Sequence, residues 1–452
     1  MVTRGYRDGS AAALASLTSA DDGAHMAIGI GVLGSGIVGG ALLRRLIEDR
    51  QALGARTGLD LEVRKVAIRS PEKPRSFPIP PHLVTTDPTE VVHDPGVQLV
   101  VEVMGGLEPA GELVRTALRS GKAVVTANKE LMAARGSELL DEAAKTGVSL
   151  LFEASVGGGI PIIRPLTETL AGEPLTRVMG IVNGTTNYLL SRMTEDGATF
   201  EEALAEAQAK GYAEADTTAD VSGADAVAKA AILASLAFGT VVDPGHVYRE
   251  GIEHVQAIDV GYASDLGYVL KLLAIADKTS EGITVRVHPT LVPSAHPLAA
   301  VRGAANAVYV QGPEVGELLF SGPGAGGGPT ATAVLGDIID AARELLAGPR
   351  VTPRVRFGPG RVRPFEESTT KWYVRLRVID APGVLAAIAG AFGEAGVSLK
   401  SVWQEGRHNE ATLLMITHDA VESNLRAAVR SLADLGVVSE VVATIRVQSD
   451  EP

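Results

Sequence analysis

A lysine in an apolar helix, four residues after an aspartate, forms the pair of side chains best suited to chemistry in this sequence. Residues 211–238 read GYAEADTTADVSGADAVAKAAILASLAF, where Lys229 follows Asp225. Residues four apart share a helix face, so the amine and the carboxylate can meet. Because a lysine in apolar surroundings is costly unless paired or functional, we predict that this segment binds substrate and transfers a proton.

The composition excludes several classes of protein. The chain has 452 residues, 46% of them hydrophobic, which fits a soluble protein of roughly two to four domains. Its formal net charge of −13 argues against nucleic acid or an anionic membrane as a partner. Cysteine is absent, which excludes aldehyde oxidation through a cysteine thiohemiacetal. We expect a cytoplasmic protein without a membrane span.

The elements that position this pair alternate at first between strands and helices. Residues 1–26 have little periodicity and are interpreted as a mobile extension. Residues 27–160 are predicted to form a Rossmann-type doubly wound sheet that binds a nucleotide. Its predicted strands are 27–33, 61–68, 97–104, 122–127 and 148–156. A helix over 334–348 is predicted to return to this domain.

The rest of the chain follows different patterns. Residues 161–333 mix strands and helices and predict an α+β domain for catalysis and dimerisation. Residues 349–370 are rich in Pro, Gly and Arg and are interpreted as a linker. Residues 371–448 have a β-α-β-β-α-β order, which predicts an independent ferredoxin-like module.

A glycine-rich loop after the first strand predicts a dinucleotide site. The sequence GSGIVG matches the G-x-G-x-x-G pattern between a strand and a helix. Such glycines permit a tight turn and close approach of the pyrophosphate, which binds at the helix N-terminus. The candidate cofactor residues of this loop are Gly34, Gly36, Ile37, Val38 and Gly39.

The end of the second predicted strand favours NADP(H) over NAD(H), although NAD(H) stays an alternative. NAD sites commonly have a carboxylate here, on the ribose hydroxyl. The chain instead has Arg69, followed by Lys73 and Arg75. A cation suits a 2′-phosphate; the alternative is a solvated arginine at a strand end.

Several motifs together resemble the homoserine dehydrogenase family. The resemblance extends from about residue 27 to 447, and the C-terminal module, with DAPGVLA at 380–386, resembles an ACT domain. The motifs are GSGIVG (34–39), VVTANKE (124–130), FEASVGGGIPII (152–163), GIVNGTTNYLL (180–190), GYAEADTTADVSGADAVAK (211–229), HPLAAVRGAANAV (296–308) and SGPGAGGGPTATAV (321–334). The resemblance implies NAD(P)-dependent interconversion of L-aspartate 4-semialdehyde and L-homoserine.

The resemblance also implies roles for the charged residues. Lys229 matches the proton donor and acceptor, and Lys129 matches a lysine near nicotinamide and substrate. Glu214 and Asp225 match residues that hold the substrate's amino group and the reacting hydroxyl. We also expect Asp220 in the substrate site.

Two glycine-rich regions complete the implied site. Gly211, Gly324 and Gly326 match cofactor contacts. A monovalent cation, usually sodium, is implied at four further positions: Glu153, Val156, Gly158 and Ile160. One carboxylate with backbone carbonyls suits a hard cation, but without the resemblance this segment would be interpreted as a tight turn. The family commonly has proline where this chain has Thr217, which makes the acidic loop less rigid.

Each chemical assignment has a structural alternative. Hydride delivery to an aldehyde builds negative charge on oxygen, which a lysine can neutralise with a proton or by its charge. Lys229 could instead form only a structural ion pair with Asp225. Lys129 could only begin a helix capped by Asn128, but it follows a strand end, where doubly wound sheets bind ligands. The acidic loop could be solvated surface; we favour Glu214 over Asp216 for the substrate.

The alternative function is a non-catalytic amino-acid sensor built around the ACT-like module. Two lysines at the predicted site favour an enzyme. The module suggests regulation, with threonine as the candidate effector. Because such modules commonly pair between subunits, we expect a homodimer or a homotetramer.

Overall fold

The computed structural model of the chain describes residues 27–348, 355–406 and 410–448. The predicted extension over 1–26 and the first part of the predicted linker lie outside the described residues. Within the described ranges, no helix is long and apolar enough to cross a membrane.

The first part of the chain forms a six-stranded parallel sheet with the order β3-β2-β1-β4-β5-β6. Its strands are β1 (Ile28–Leu33), β2 (Leu61–Ala67), β3 (Val84–Thr85), β4 (Leu99–Glu102), β5 (Ala123–Thr126) and β6 (Leu150–Leu151). The strand order reverses between β1 and β4, and ligands of such sheets bind in the crevice at this point.

Helices cover both faces of this sheet. They are α1 (Ile37–Glu48), α2 (Arg50–Thr57), α3 (Thr89–His93), α4 (Ala110–Arg119) and α5 (Lys129–Thr146). Every residue of β1, β4 and β5 is buried. That burial explains their continuous apolar runs, because a covered parallel strand has no solvent face.

The middle of the chain builds one end of a second, mixed sheet. Its strands are β7 (Arg177–Ile181), β8 (Tyr248–Arg249), β9 (Tyr268–Thr279), β10 (Gly282–Pro293), β11 (Ala305–Gly312) and β12 (Gly316–Pro323). Its helices are α6 (Gly184–Asp196), α7 (Phe200–Ala209), α8 (Thr218–Val221), α9 (Ala224–Phe238) and α10 (Ala257–Asp265). Helix α9 packs against β9 and β10, so the sheet supports the helix that carries Lys229.

A long helix, α11 (Gly327–Ala347), packs on the first sheet after the chain has completed β12. Its Val334 and Ile338 are fully buried in the same apolar cluster as Ile30 and Leu42. The helix was predicted over 334–348 but begins earlier, at Gly327, although residues 327–333, GGPTATA, give little helical pattern in the sequence.

The C-terminal module has the predicted β-α-β-β-α-β order with a short extra strand. Its elements are β13 (Thr369–Ile379), α12 (Val384–Glu394), β14 (Leu399–Glu405), β15 (Glu410–Thr417), β16 (Ala420–Val421), α13 (Glu422–Ala433) and β17 (Val438–Val447). Strand β17 pairs in parallel with β10, which joins the module and the middle region into one eleven-stranded sheet.

Charged side chains reinforce this junction. The Arg375 guanidinium lies 2.7 Å from Asp259 of α10, and both side chains are buried. Phe365, from the segment interpreted as a linker, is also buried. The module is therefore packed against the middle region as well as tethered to it.

Candidate active site

The glycine loop has the geometry that each of its glycines requires. Gly34 has a φ of +103°, and a Cβ there would lie 2.9 Å from the carbonyl oxygen of Val103. A Cβ on Gly39 would lie 2.5 Å from the carbonyl oxygen of Gly34. At Gly36, by contrast, no atom lies within 4 Å of the Cβ position. The first and third glycines permit packing within the protein, and the second leaves space for a ligand.

Two uncapped helix N-termini meet beside this loop. Helix α1 begins after Gly36 and helix α11 after Gly326, and neither has a side-chain cap or an acidic residue in its first turn. A Cβ on Gly327 would lie 3.0 Å from Cγ2 of Ile37, so the two ends are adjacent. Unpaired N–H groups and the helix dipole suit an anion such as a pyrophosphate.

A cleft of about 730 Å³ extends from this loop towards the end of β2. Its lining includes Gly34, Gly36, Ile37, Arg69, Lys73 and Arg75. Nε of Arg75 donates to the Ser35 hydroxyl at 2.8 Å, and its other nitrogens bond to carbonyls of the adjoining turn. Arg75 thus shapes the cleft, while Arg69 is exposed at its edge.

A buried glutamate that sequence reasoning missed shapes the opposite side of the cleft. Glu102, the last residue of β4, accepts hydrogen bonds from the backbone N–H groups of Met104 and Gly105. Its other oxygen accepts from the Thr126 hydroxyl at 2.6 Å. Asn128 then donates to the carbonyl of Gly106 and caps α5 through its side-chain oxygen. These bonds fix the cleft wall relative to Lys129.

The two predicted catalytic lysines share one carboxylate. Nζ of Lys129 lies 2.5 Å from Oδ1 of Asp225, and Nζ of Lys229 lies 2.6 Å from Oδ2. Lys129 begins α5 of the nucleotide-binding sheet, whereas Asp225 and Lys229 lie on α9. The cluster therefore forms where the two parts of the chain meet.

The Lys229 side chain is only 13% exposed, whereas that of Lys129 is 37% exposed. Nζ of Lys229 also donates to the carbonyl of Val182 at 2.7 Å. The same oxygen of Asp225, Oδ2, also accepts from Nδ2 of Asn183 at 2.9 Å, and this nitrogen donates to Asp220 at 2.6 Å. Neither Val182 nor Asn183 was a candidate from the sequence, although both lie in the motif GIVNGTTNYLL.

The environments of the two lysines drive their pKa values in opposite directions. For Lys229, burial lowers the pKa, and the charge of Lys129 lowers it further against the opposing effect of Asp225. For Lys129, burial also lowers the pKa, but the contact with Asp225 outweighs it and the pKa is raised. Burial raises the pKa of Asp225, but both lysines hold it below its usual range. The cluster thus combines a lysine whose charged form is favoured with a lysine that releases its proton more readily than an ordinary one.

Only some of the carboxylates in the acidic loop, residues 214–220, contact the cluster of Lys129, Asp225 and Lys229 or its neighbours. Asp220 is connected through Asn183. Asp216 instead accepts from the N–H of Thr218 at 3.0 Å, and its pKa is lowered by a hydrogen bond from the Thr218 side chain and by this backbone bond. Glu214 is exposed, and within the described ranges its side chain has no hydrogen bond or ion pair.

Gly211 has a structural explanation of its own. It lies just after α7 with a φ of +74°, and its N–H donates to the carbonyl of Gln208. The N–H of Tyr212 donates to Ala207 in the same turn. This pattern ends helices at a left-handed glycine, so the glycine is required here without a cofactor.

The candidate cation loop packs against the loop before α11. The N–H of Gly159 donates to the carbonyl of Pro323 at 3.1 Å, and Gly158, with a φ of +57°, lies against Gly324. The Glu153 carboxylate accepts from three backbone N–H groups, those of residues 162–164. Burial raises the pKa of Glu153 despite these bonds. No cluster of three or more acidic, histidine or cysteine ligands occurs in the described part of the chain.

Three carbonyls of this loop fit a hard cation better than the carboxylate does. Within the described ranges, the carbonyl oxygens of Val156, Gly158 and Ile160 accept no hydrogen bond. Backbone oxygens without donors are suitable ligands for such a cation.

Known proteins match this chain over almost its whole length. The family model described as homoserine dehydrogenase matches residues 161–339, and that of its NAD binding domain matches residues 34–153. A homoserine dehydrogenase of Corynebacterium glutamicum is 46% identical over 433 residues, which cover 95% of this chain and 97% of that protein. The chain belongs to the homoserine dehydrogenase family. The prediction of an oxidoreductase, rather than a non-catalytic sensor, is confirmed.

Solved structures agree with this membership. A homoserine dehydrogenase from Thiobacillus denitrificans is 41% identical and has a TM-score of 0.88, covering 94% of this chain and 98% of that one. A hyperthermophilic archaeal homoserine dehydrogenase in complex with NADPH is 30% identical, with a TM-score of 0.60, over 72% of this chain and 100% of that one. Residues 372–437 match the ACT domain. The predicted fold class is therefore confirmed for this member of the homoserine dehydrogenase family.

Proposed function

We propose that this homoserine dehydrogenase interconverts L-aspartate 4-semialdehyde and L-homoserine at the Lys129–Asp225–Lys229 cluster, with NADP(H) as its preferred cofactor. The observation that carries the proposal is the carboxylate shared by two lysines with opposite pKa shifts. The cluster lies beside the cleft wall that Glu102 and Asn128 fix.

Lys229 supplies the proton in the proposed reaction. When bound, the reduced nicotinamide provides the hydride. Negative charge then develops on the aldehyde oxygen, and Lys229 donates a proton to that oxygen. In homoserine oxidation, neutral Lys229 accepts the hydroxyl proton, which its lowered pKa favours. Lys129 keeps its charge and stabilises the oxyanion.

Carboxylates hold the other end of the substrate. Asp225 orients both lysines, and Glu214 and Asp220 provide negative charge for the substrate's ammonium group. The exposed position of Glu214 is compatible with a contact made only when substrate binds. The test is steady-state homoserine oxidation with NADP; an enzyme that fails to reduce NADP in the presence of homoserine contradicts the proposal.

The preference for NADP(H) is supported by Arg69, Lys73 and Arg75 in the cleft at the end of β2. A 2′-phosphate would be bound there by cations, with Gly34, Gly36 and Gly39 at the pyrophosphate. Arg69→Asp should raise the KM for NADP by about tenfold or more and lower that for NAD, because a charge-assisted bond is lost. Steady-state kinetics with both cofactors checks this; an unchanged NADP preference contradicts it.

We further propose that sodium binds in the loop that contains Glu153, Val156, Gly158 and Ile160, with the carbonyl oxygens of the last three residues as its ligands. The support is the set of carbonyls in this loop that lack hydrogen-bond donors. Such a cation would fix the loop against Gly324. Activity should then depend on sodium at constant ionic strength; equal activity in sodium and in a large organic cation contradicts the site.

The ACT domain suggests regulation, and we propose threonine as the effector and a homodimer or homotetramer as the assembly. Deletion of the chain after residue 350 should abolish threonine inhibition. Inhibition that survives the deletion would exclude the ACT domain as the effector site. Light scattering of the full chain measures the assembly.

A further inference from the structure

Asn183 connects the acidic loop to the catalytic cluster through a single amide group. It is 6% exposed and lies between β7 and α6. Its side-chain oxygen accepts from the N–H of Thr186 at 2.9 Å and caps α6. Because that N–H can only donate, the amide nitrogen must face the carboxylates. The nitrogen has two hydrogens, and Asp220 and Asp225 lie 2.6 Å and 2.9 Å away from it.

Capping alone does not require asparagine at this position. A helix N-cap needs one side-chain oxygen, and serine and aspartate serve about as well. Helix α7 is capped in this way by the Thr199 hydroxyl, which accepts from the N–H of Glu202 at 3.2 Å. The side-chain nitrogen of asparagine is needed for a separate reason, because it donates to the carboxylates of Asp220 and Asp225.

We propose that Asn183 is a positioning residue that bridges Asp220 and Asp225 and holds Asp225 in its orientation towards Lys229. This inference rests on the proposed function of the cluster. Oδ2 of Asp225 accepts from Asn183 and Lys229, and Oδ1 contacts Lys129, so the carboxylate cannot rotate without losing a donor. The preceding carbonyl of Val182 accepts from Nζ of Lys229. The consecutive residues Val182 and Asn183 therefore hold both the Lys229 amine and the Asp225 carboxylate in place.

The charged groups around Lys229 define what a change at Asn183 would do. Asp225 faces it from α9, Lys129 from α5 and Asp220 from α8. Asn183→Asp keeps the cap but replaces the shared donor with a third carboxylate. The added negative charge favours the protonated form of Lys229. Asn183→Ser keeps a side-chain oxygen that can cap the helix. It adds no charge, and its side chain is too short to bridge the two carboxylates.

The test is the pH profile of kcat for homoserine oxidation by the full-length variants. We expect Asn183→Asp to move the ascending limb upwards by about one pH unit or more, because the new charge lies near the lysine. Asn183→Ser should lower kcat by about tenfold without that shift, because Asp225 is less well oriented. Thr199→Ala, which removes a cap elsewhere, should lower the melting temperature and leave the limb in place.

Competitive acetylation of Lys229, measured by mass spectrometry across pH, provides a readout that does not need turnover. Asn183→Asp should raise the pKa obtained in this way. If the pKa rises but the wild type does not oxidise homoserine, the proposed reaction is wrong and the positioning role stands. If Asn183→Asp keeps the wild-type pKa of Lys229 and Asn183→Ser keeps the wild-type kcat, Asn183 is only a helix cap and the inference is wrong.

Discussion

Two buried lysines, Lys229 and Lys271, are held in contrasting ways. Lys271 lies on β9, is 2% exposed, and donates to Oδ1 of Asn187 at 3.0 Å and to the carbonyl of Val301 at 2.5 Å. Both acceptors are neutral. Lys229 instead contacts a carboxylate that a second lysine shares. Burial lowers the pKa of both amines, that of Lys271 to about 8.

The difference teaches that a lowered lysine pKa does not by itself identify a catalytic residue. Lys271 is enclosed by the sheet, by α6 and by the segment before β11, and its hydrogen bonds connect these elements. Lys229 is joined through Asp225 to Lys129, which follows the cap residue bonded to the cleft wall. The proposed catalytic role of Lys229 therefore rests on a titratable amine, on its connection to the cleft and on a neighbouring cation, and Lys271 has only the first of these.

The largest expected effect separates the two lysines by activity. Lys229→Ala should lower kcat by about a thousandfold, within the range for loss of a general acid and base, while cofactor binding is retained. Lys271→Met should keep kcat within about threefold, because a buried methionine preserves the apolar stem without reaching the ligand. Steady-state kinetics and cofactor titration measure both. Wild-type turnover by Lys229→Ala would mean that Lys229 is not catalytic, so that it would not differ from Lys271 in this respect.

A smaller effect tests the fixed charge next to Lys229. Lys129→Met removes a cation that lowers the pKa of Lys229 in addition to burial. The ascending limb of homoserine oxidation should therefore move upwards by about one pH unit, since neutral Lys229 then requires a higher pH. Lys129→Arg keeps the charge and should keep the limb near its original position. A limb unmoved in Lys129→Met would mean that the charge of Lys129 does not contribute to the lowered pKa of Lys229.

Much of this arrangement was predictable because it depends on local pattern. The strand–glycine loop–helix order fixed the expectation of a doubly wound sheet, and the spacing of Asp225 and Lys229 predicted their contact. The segment 148–156 was predicted as one strand, but β6 ends at Leu151. The prediction of a full strand is wrong because Glu153 turns back to accept from the N–H groups of 162–164.

The remaining features depend on distant parts of the chain. Asn183 resembles any helix cap in the sequence, and only the fold brings two carboxylates to its nitrogen. Nothing in the sequence around Lys271 indicates that its side chain is buried, or that its hydrogen-bond acceptors are neutral. The pairing of β17 with β10 joins strands far apart in sequence, and no turn or period predicts it.

The smallest expected effect concerns stability and tests the Lys271 half of the comparison. Its pKa is about 8 when folded and 10.5 as the ordinary value, so between these two pH values the unfolded chain binds more protons. Stability that depends on Lys271 should therefore rise with pH across this window. The free energy of unfolding of the wild type, minus that of Lys271→Met, should increase by roughly 3 kcal/mol from pH 8 to 10.5.

Denaturant unfolding at several pH values measures this difference, and Lys278→Met on the same strand is the matched control. The Lys278 side chain is exposed, and its amine donates to the carbonyl of Phe238 at 3.5 Å, so it is not enclosed as Lys271 is. If the free-energy difference from the wild type rises equally with pH for the two variants, burial of Lys271 is not the cause of the rise. A steep slope for Lys271→Met alone, with turnover retained, would show a lysine whose pKa is lowered by burial without any part in catalysis. That result would leave the shared carboxylate of Asp225 as the feature that distinguishes the reactive amine.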